Sequence, residues 1–197
     1  MHLQPLPGAP RRSPGLDAVL RRAVDDARAL ADGGADAVIV ENFGDAPFDR
    51  TTVGPATVAA LTRIAAEVRS ALPPTVELGI NVLRNDALAA VGIAAAVGAT
   101  FVRINVHVGA MVTDQGVIEG DARATLLERN RLGVDLRIVA DVLVKHAVPL
   151  GAWSLEDAAR DTAERGLADV LVVTGAGTGR PTDRDDVRRV RAAAPGV

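Results

Sequence analysis

Short apolar runs alternate along the chain with longer stretches in which apolar positions recur every three or four residues. The short runs are AVIVE (37–41), ELGINV (77–82), FVRINV (101–106), RIVADV (137–142) and DVLVVT (169–174). They have strand length and are rich in β-branched residues. MHLQPL at the start reads as the last residues of a further strand. Helical periodicity predicts helices over 16–32, 55–71, 86–97, 121–132, 154–165 and 183–194. Local signals support these bounds: Pro55 suits a first helical turn, and Ser154 followed by Asp157 is an acidic form of the capping box. Gly33, Gly98 and Gly166 stand where helices should stop before the next strand.

Strands alternating with helices predict βαβ units and a parallel sheet. Polar groups recur at or just beyond the end of every predicted strand: His2 and Gln4, Glu41 and Asn42, Asn81 with Arg84 and Asn85, Asn105 and His107, Asp141 with Lys145 and His146, and Thr174. An open doubly wound sheet concentrates ligand groups at one switch point. A barrel brings the ends of all its strands around one mouth. The pattern therefore predicts an α/β fold of the TIM (β/α)8 type. Six βα units in 197 residues fall short of the eight units and about 250 residues of that fold. The expectation is a single barrel domain over 1–197 that is incomplete, with about two units absent at its end.

The run FVRINVH (101–107) poses the central question. Val102, Ile104 and Val106 alternate with Arg103, Asn105 and His107. In a barrel the first set faces the helices and the second faces inward, with His107 nearest the mouth. An inward arginine needs a carboxylate, and Glu41 or Asp141 on neighbouring strands could supply it. The alternative is a polar network that sets strand register and nothing more.

Candidate chemistry follows from these positions. Glu41, at the end of 37–41, stands where an acid, a base or a metal ligand would be placed. Asn42, Gly44 and Asp45 are loop formers. Asn81 is inward, Arg84 has the planar fork that suits phosphate or carboxylate, and Asp86 reads as a helix cap. Asp141 and Lys145 share parity; Lys145 could form a Schiff base, bind phosphate or neutralise Asp141. VTGAGTGRPTD, with Thr174, Gly175 and Gly177 before a helix, is a candidate anion cradle. Glu41, His107, Asp141 and Lys145 are thus the candidate catalytic residues. Asn81, Arg84, Asn105, His146, Thr174, Gly175 and Gly177 are the candidate binding residues. A divalent metal held by Glu41, His107, Asp114, Asp141 and His146 is a further option, although no two show a local ligand spacing.

Composition narrows the classes. The net charge of −3 argues against sequence-independent nucleic-acid binding. With no cysteine, disulfides and thiolate metal sites are excluded. No apolar stretch reaches the roughly 20 residues of a membrane span, so a cytoplasmic protein, alone or as a homo-oligomer, is the default. Aromatics make up 2% of the chain, which leaves the core to Val, Leu, Ile and Ala. Lys145 is the sole lysine.

The segments HLQPLPGAP, GGADAVIVENFGDAPF, GINVLRNDA, GATFVRINVHVGAMVTDQGVIEG, ADVLVKHAVPL and RGLADVLVVTGAGTG span nearly the whole chain. In this order they resemble the BtpA/SgcQ family, with ENFGD, NVLRND and TDQGxIEG the most specific strings. The resemblance implies a TIM-type barrel that normally continues into two further strands. It implies either an enzyme of sugar metabolism or a factor for building photosystem I; the candidate anion-binding groups themselves point to an enzyme acting on a small phosphorylated sugar or nucleoside-like substrate. The resemblance assigns no catalytic residue.

Overall fold

A computed structural model describes residues 1–175 and 177–197. Five parallel strands form the main sheet in the order β1 (Ala37–Glu41), β2 (Glu77–Asn81), β3 (Phe101–Ile104), β6 (Arg137–Asp141) and β8 (Val170–Val172). The amino-terminal segment adds a parallel bridge outside β1, from His2 to Glu41. Helices α1 (Leu16–Asp32), α2 (Pro55–Ala71), α3 (Ala87–Val97) and α4 (Ala122–Leu132) connect these strands, with α5 (Leu155–Arg160), a π-helical turn at Asp161–Arg165, and α6 (Arg184–Ala193). The expected caps are present. Asp86 accepts from the Ala89 amide, Ser154 accepts from the Asp157 amide, and Gly98 takes the left-handed conformation at the end of α3.

The two faces of the sheet differ in chemistry. Val38, Val40, Leu78, Ile80, Val102, Ile104, Ile138 and Ala140 point outward and pack with α1–α3 residues such as Val19, Leu61, Ile64, Val91 and Ala94 into one buried cluster. The inward positions carry Glu41, Asn81, Arg103 and Asp141 near the strand ends. At the opposite end Phe101 lies over Gly79, where a Cβ would come within 2.2 Å of its ring. Apolar outside and polar inside is the pattern of a barrel wall. In a flat sheet β1 and β8 would be about 19 Å apart, four intervals of strand spacing. Here residues following both strands line one cleft, so the wall curls. Among the described residues it does not close, as the incomplete-barrel expectation has it.

A second, antiparallel sheet was not apparent from periodicity. It joins β4 (Ala110–Thr113), β5 (Gly116–Glu119) and β7 (Ala147–Pro149) in the order β5-β4-β7. Asp114 and Gln115 form its two-residue hairpin turn, with Gly116 at positive φ. Each strand is three or four residues long, and β7 comes from the loop after β6. A three-residue strand whose partner is far along the chain has no usable period.

Candidate functional site

The loop after β1 shows how the sequence builds the site. Asn42 receives the Leu83 amide on Oδ1 at 2.7 Å, and its Nδ2 donates to Asp45 at 3.1 Å. Asp45 accepts the Leu6 amide at 2.8 Å. Gly44 lies against the chain at Leu3–Pro5, where a Cβ would stand 2.4 Å from the Pro5 nitrogen. The ENFGD string is therefore a buried polar clasp joining three segments. It leaves Glu41 and Phe43 facing the interior cleft.

That cleft, of about 480 Å³, opens at the carboxyl ends of the strands. Glu41, Arg103 and Asn105 form its polar floor. Phe43, Ala46, Phe48 and Leu83 make an apolar wall. Arg11, Arg84, Lys145, His146 and Thr178 supply a cationic and hydrogen-bonding rim, with Asp114 reaching in from the β4–β5 turn. Burial pushes the Arg84 guanidinium below its ordinary range, against the pull of Asp114, Asp141 and Glu41. One of its nitrogens donates to the Lys145 carbonyl at 2.9 Å, tying the β2 loop to the β6 loop. The only ion pairs at this cleft among the described residues belong to Arg103.

Arg103 answers the question posed by its strand. Its Nε and a terminal nitrogen meet the two oxygens of Asp141 at 2.8 and 2.9 Å, a forked pair, and Glu41 lies 3.8 Å away. Burial alone would weaken its charge; the hydrogen bonds and attraction from Asp141 outweigh this, so the guanidinium is held more firmly protonated than usual. Asn105 donates to Asp141 at 3.0 Å and accepts from Asn81 at 3.2 Å. The polar face of β3 is thus both a network and the floor of a cleft.

Several predicted site residues stand elsewhere. Asp141 is below the floor, its side chain 0% exposed and both oxygens occupied. Asn81 is also beneath it. His107 does not reach the mouth. The β3 ladder ends at Ile104, after which alternation no longer dictates direction, and His107 Nε2 donates to the Gly166 carbonyl at 2.8 Å. The residue is 1% exposed, and burial lowers its pKa from the ordinary histidine value, with the Gly166 bond acting in the opposite sense. Of the loop after β8, Thr178 enters the cleft rather than Thr174, Gly175 or Gly177. Gly177 adjoins the His146 ring, and Ala176 lies outside the described residues. His146 adopts φ +59 and its Nε2 accepts the Thr178 amide at 3.2 Å. Among the described residues no three His, Asp or Glu side chains converge as metal ligands, so the five named for a divalent ion are not assembled. Arg11, Phe43, Phe48 and Leu83 escaped the sequence reading, whereas Thr178 belongs to the VTGAGTGRPTD loop expected to hold an anion. One signal was available: in a chain this poor in aromatics, two of three phenylalanines fall in a single loop.

A curled wall of parallel strands, with helices outside and a cleft at the carboxyl ends, defines a TIM-type α/β protein with a small-molecule-sized site. A solved structure of UMP synthase from Leishmania donovani shares this fold, with a TM-score of 0.56 and 18% identity; the match covers 100% of this chain and 40% of that one. The BtpA family model matches residues 1–197, and the chain belongs to the BtpA family. It is 50% identical to the photosystem I biogenesis protein BtpA of Synechocystis, covering 100% of this chain and 68% of that protein. It is 33% identical to the sgc region protein SgcQ of Escherichia coli, covering 98% of this chain and 72% of SgcQ. No helix among the described residues is long and apolar enough to cross a membrane.

Proposed function

We propose that the protein is an enzyme whose cleft holds a small phosphorylated substrate. What carries the reading is the charge of the lining: Arg84, Lys145 and Arg11 line the cleft that also holds Glu41, and none of the three forms an ion pair with a carboxylate among the described residues. A phosphate dianion seated among them would satisfy Arg84 in particular, whose burial leaves its charge poorly solvated. Lys145, His146 and the Thr178 hydroxyl complete the anion grip. Glu41 and Asp114 are the two carboxylates that line the cleft; Glu41 stands on its floor beside Arg103, and we assign it proton transfer. Arg103 orients Glu41, and Asp141 and Asn105 orient Arg103. Hydrolysis, aldol cleavage and isomerisation all use one such group beside an anchored phosphate. The reading takes the protein to act in the cytoplasm, where phosphorylated metabolites are found.

The test uses the sole lysine. Pyridoxal 5′-phosphate followed by borohydride should label Lys145, identified by peptide mass, and ribose 5-phosphate should block the labelling. Ribose 5-phosphate at 100 times its Kd should raise Tm by about 5–10 °C, from about 2.7 kcal/mol of linkage. Lys145→Ala should lose most of that rise. No shift with ribose 5-phosphate, glycerol 3-phosphate or inorganic phosphate, and labelling that none of them blocks, would sink the reading.

A second reading has one structural observation behind it besides the name of the Synechocystis relative. Val117, Val112 and Val148 are cross-strand neighbours on the small sheet, with Val148 65% exposed. Such an apolar stripe suits a protein partner in an assembly role. Val148→Asp should then abolish the assembly function while leaving the melting temperature unchanged.

A further inference from the structure

We infer that the ligand of this cleft carries an aromatic ring as well as its phosphate, and that the ring lies along Phe43 with Phe48 at its edge. This rests on the phosphate reading above and narrows its substrate class to aromatic or heterocyclic phosphates, as distinct from plain sugar phosphates.

The first support is economy of aromatics. The chain has three Phe, one Trp and no Tyr, and its core is packed with aliphatic side chains. Phe101 is buried between strands, whereas Phe43 and Phe48 are only partly buried and line the cleft. Filling a core does not account for them. The second is preorganisation. Phe43 sits inside the Asn42–Asp45 clasp, whose polar side chains are spent on each other and on the backbone amides of Leu6 and Leu83, so the ring is presented by a stiff loop. The third is geometry. The His2 ring stacks on Phe43 with centroids 4.1 Å apart and planes 13° apart, while the Phe43 ring still contributes to the cleft wall. Phe48 is 6.2 Å from Phe43 and tilted by 56°. A planar ring laid along Phe43 would meet the edge of Phe48, combining stacked and edge-to-face contacts. The apolar wall and the cationic rim line one cleft of about 480 Å³, a volume within the range that holds ligands with both a ring and an anion.

The experiment compares matched phosphates on the full chain by calorimetry: phenyl phosphate and adenosine 5′-monophosphate against glycerol 3-phosphate and ribose 5-phosphate. Stacking on one aromatic side chain should make each aromatic phosphate bind about tenfold more tightly than its aliphatic counterpart. Phe43→Leu should bring that ratio down toward one, and Phe48→Leu should lower it by a smaller factor. Folding of both variants is checked by thermal melting, and the ratio in the unmodified protein needs no variant. Equal affinities for the two classes would overturn this inference and leave the phosphate reading standing, with Phe43 serving as a wall for a sugar. Binding of neither class would overturn both. Tighter binding of aromatic phosphates with no response to Phe43→Leu would overturn the placement of the ring.

Discussion

Replacing Asp141 by asparagine tests whether this carboxylate is architecture or chemistry. The side chain is 0% exposed, and Arg103, 13% exposed, is its forked partner at 2.8 and 2.9 Å. The substitution keeps the shape but strips the charge, leaving a largely buried guanidinium with only Glu41, at 3.8 Å, to offset it. Breaking one side of a buried pair costs about 3–5 kcal/mol. Glu41 should hold the loss near the lower end, at about 3 kcal/mol. Against a total stability of about 5–15 kcal/mol this is a large share. It corresponds to a fall of about 6–12 °C in Tm for a chain of this size. Urea unfolding at pH 7.5 measures the loss directly. The double variant Arg103→Met/Asp141→Leu should recover most of it, because an apolar pair of similar volume has no charge to desolvate. A loss below about 1 kcal/mol in Asp141→Asn would refute the reasoning, since the pair would then be solvated and Asp141 free to serve the substrate.

Two further outcomes are expected. The pKa of His107 is depressed by burial in the folded chain, so below the unfolded value of 6.5 the unfolded state binds the extra proton first. Its contribution is therefore complete above pH 6.5 and is lost as pH falls toward and through the depressed folded value. His107→Gln should be less stable at pH 8 yet show a flatter decline between pH 6.5 and 5; an unchanged slope would count against a buried neutral ring. Gly44→Ala places a Cβ 2.4 Å from the Pro5 nitrogen and 2.7 Å from the Leu3 carbonyl oxygen, both backbone atoms that cannot step aside. It should cost about 1–3 kcal/mol in chemical unfolding and weaken ligand binding by moving Phe43; a neutral effect would mean the clasp is loose.

Much of the architecture was legible along the chain. Helices α1 and α2 span Leu16–Asp32 and Pro55–Ala71, the ranges that periodicity predicts, and α3, α4 and α6 differ by a residue at their ends. Alternation in FVRI correctly sent Arg103 inward, because a paired strand has no other way to place successive side chains, and Asn105, one residue past the ladder, keeps the same direction. The need of a buried arginine for a carboxylate also named its partners in advance. These are local constraints: they act between residues adjacent in sequence or bound by one period.

Other features had no local signature. His107 follows the last paired residue of β3, and only the backbone of a distant helical turn, at Gly166, decides where its ring goes. Thr178 enters the cleft in preference to its glycine neighbours because its amide is bound by His146 from the loop after β6. Asp141 and Glu41 look alike as carboxylates at strand ends, yet one is sealed under Arg103 and the other faces the cleft. By itself, the chain determined which residues lie in the helices and in the strands of the main sheet, and which face of those strands is polar, since hydrophobic periodicity and capping are properties of short segments. The curl of the sheet decided which of those polar groups meet in one cleft, because that depends on distances between segments far apart in sequence.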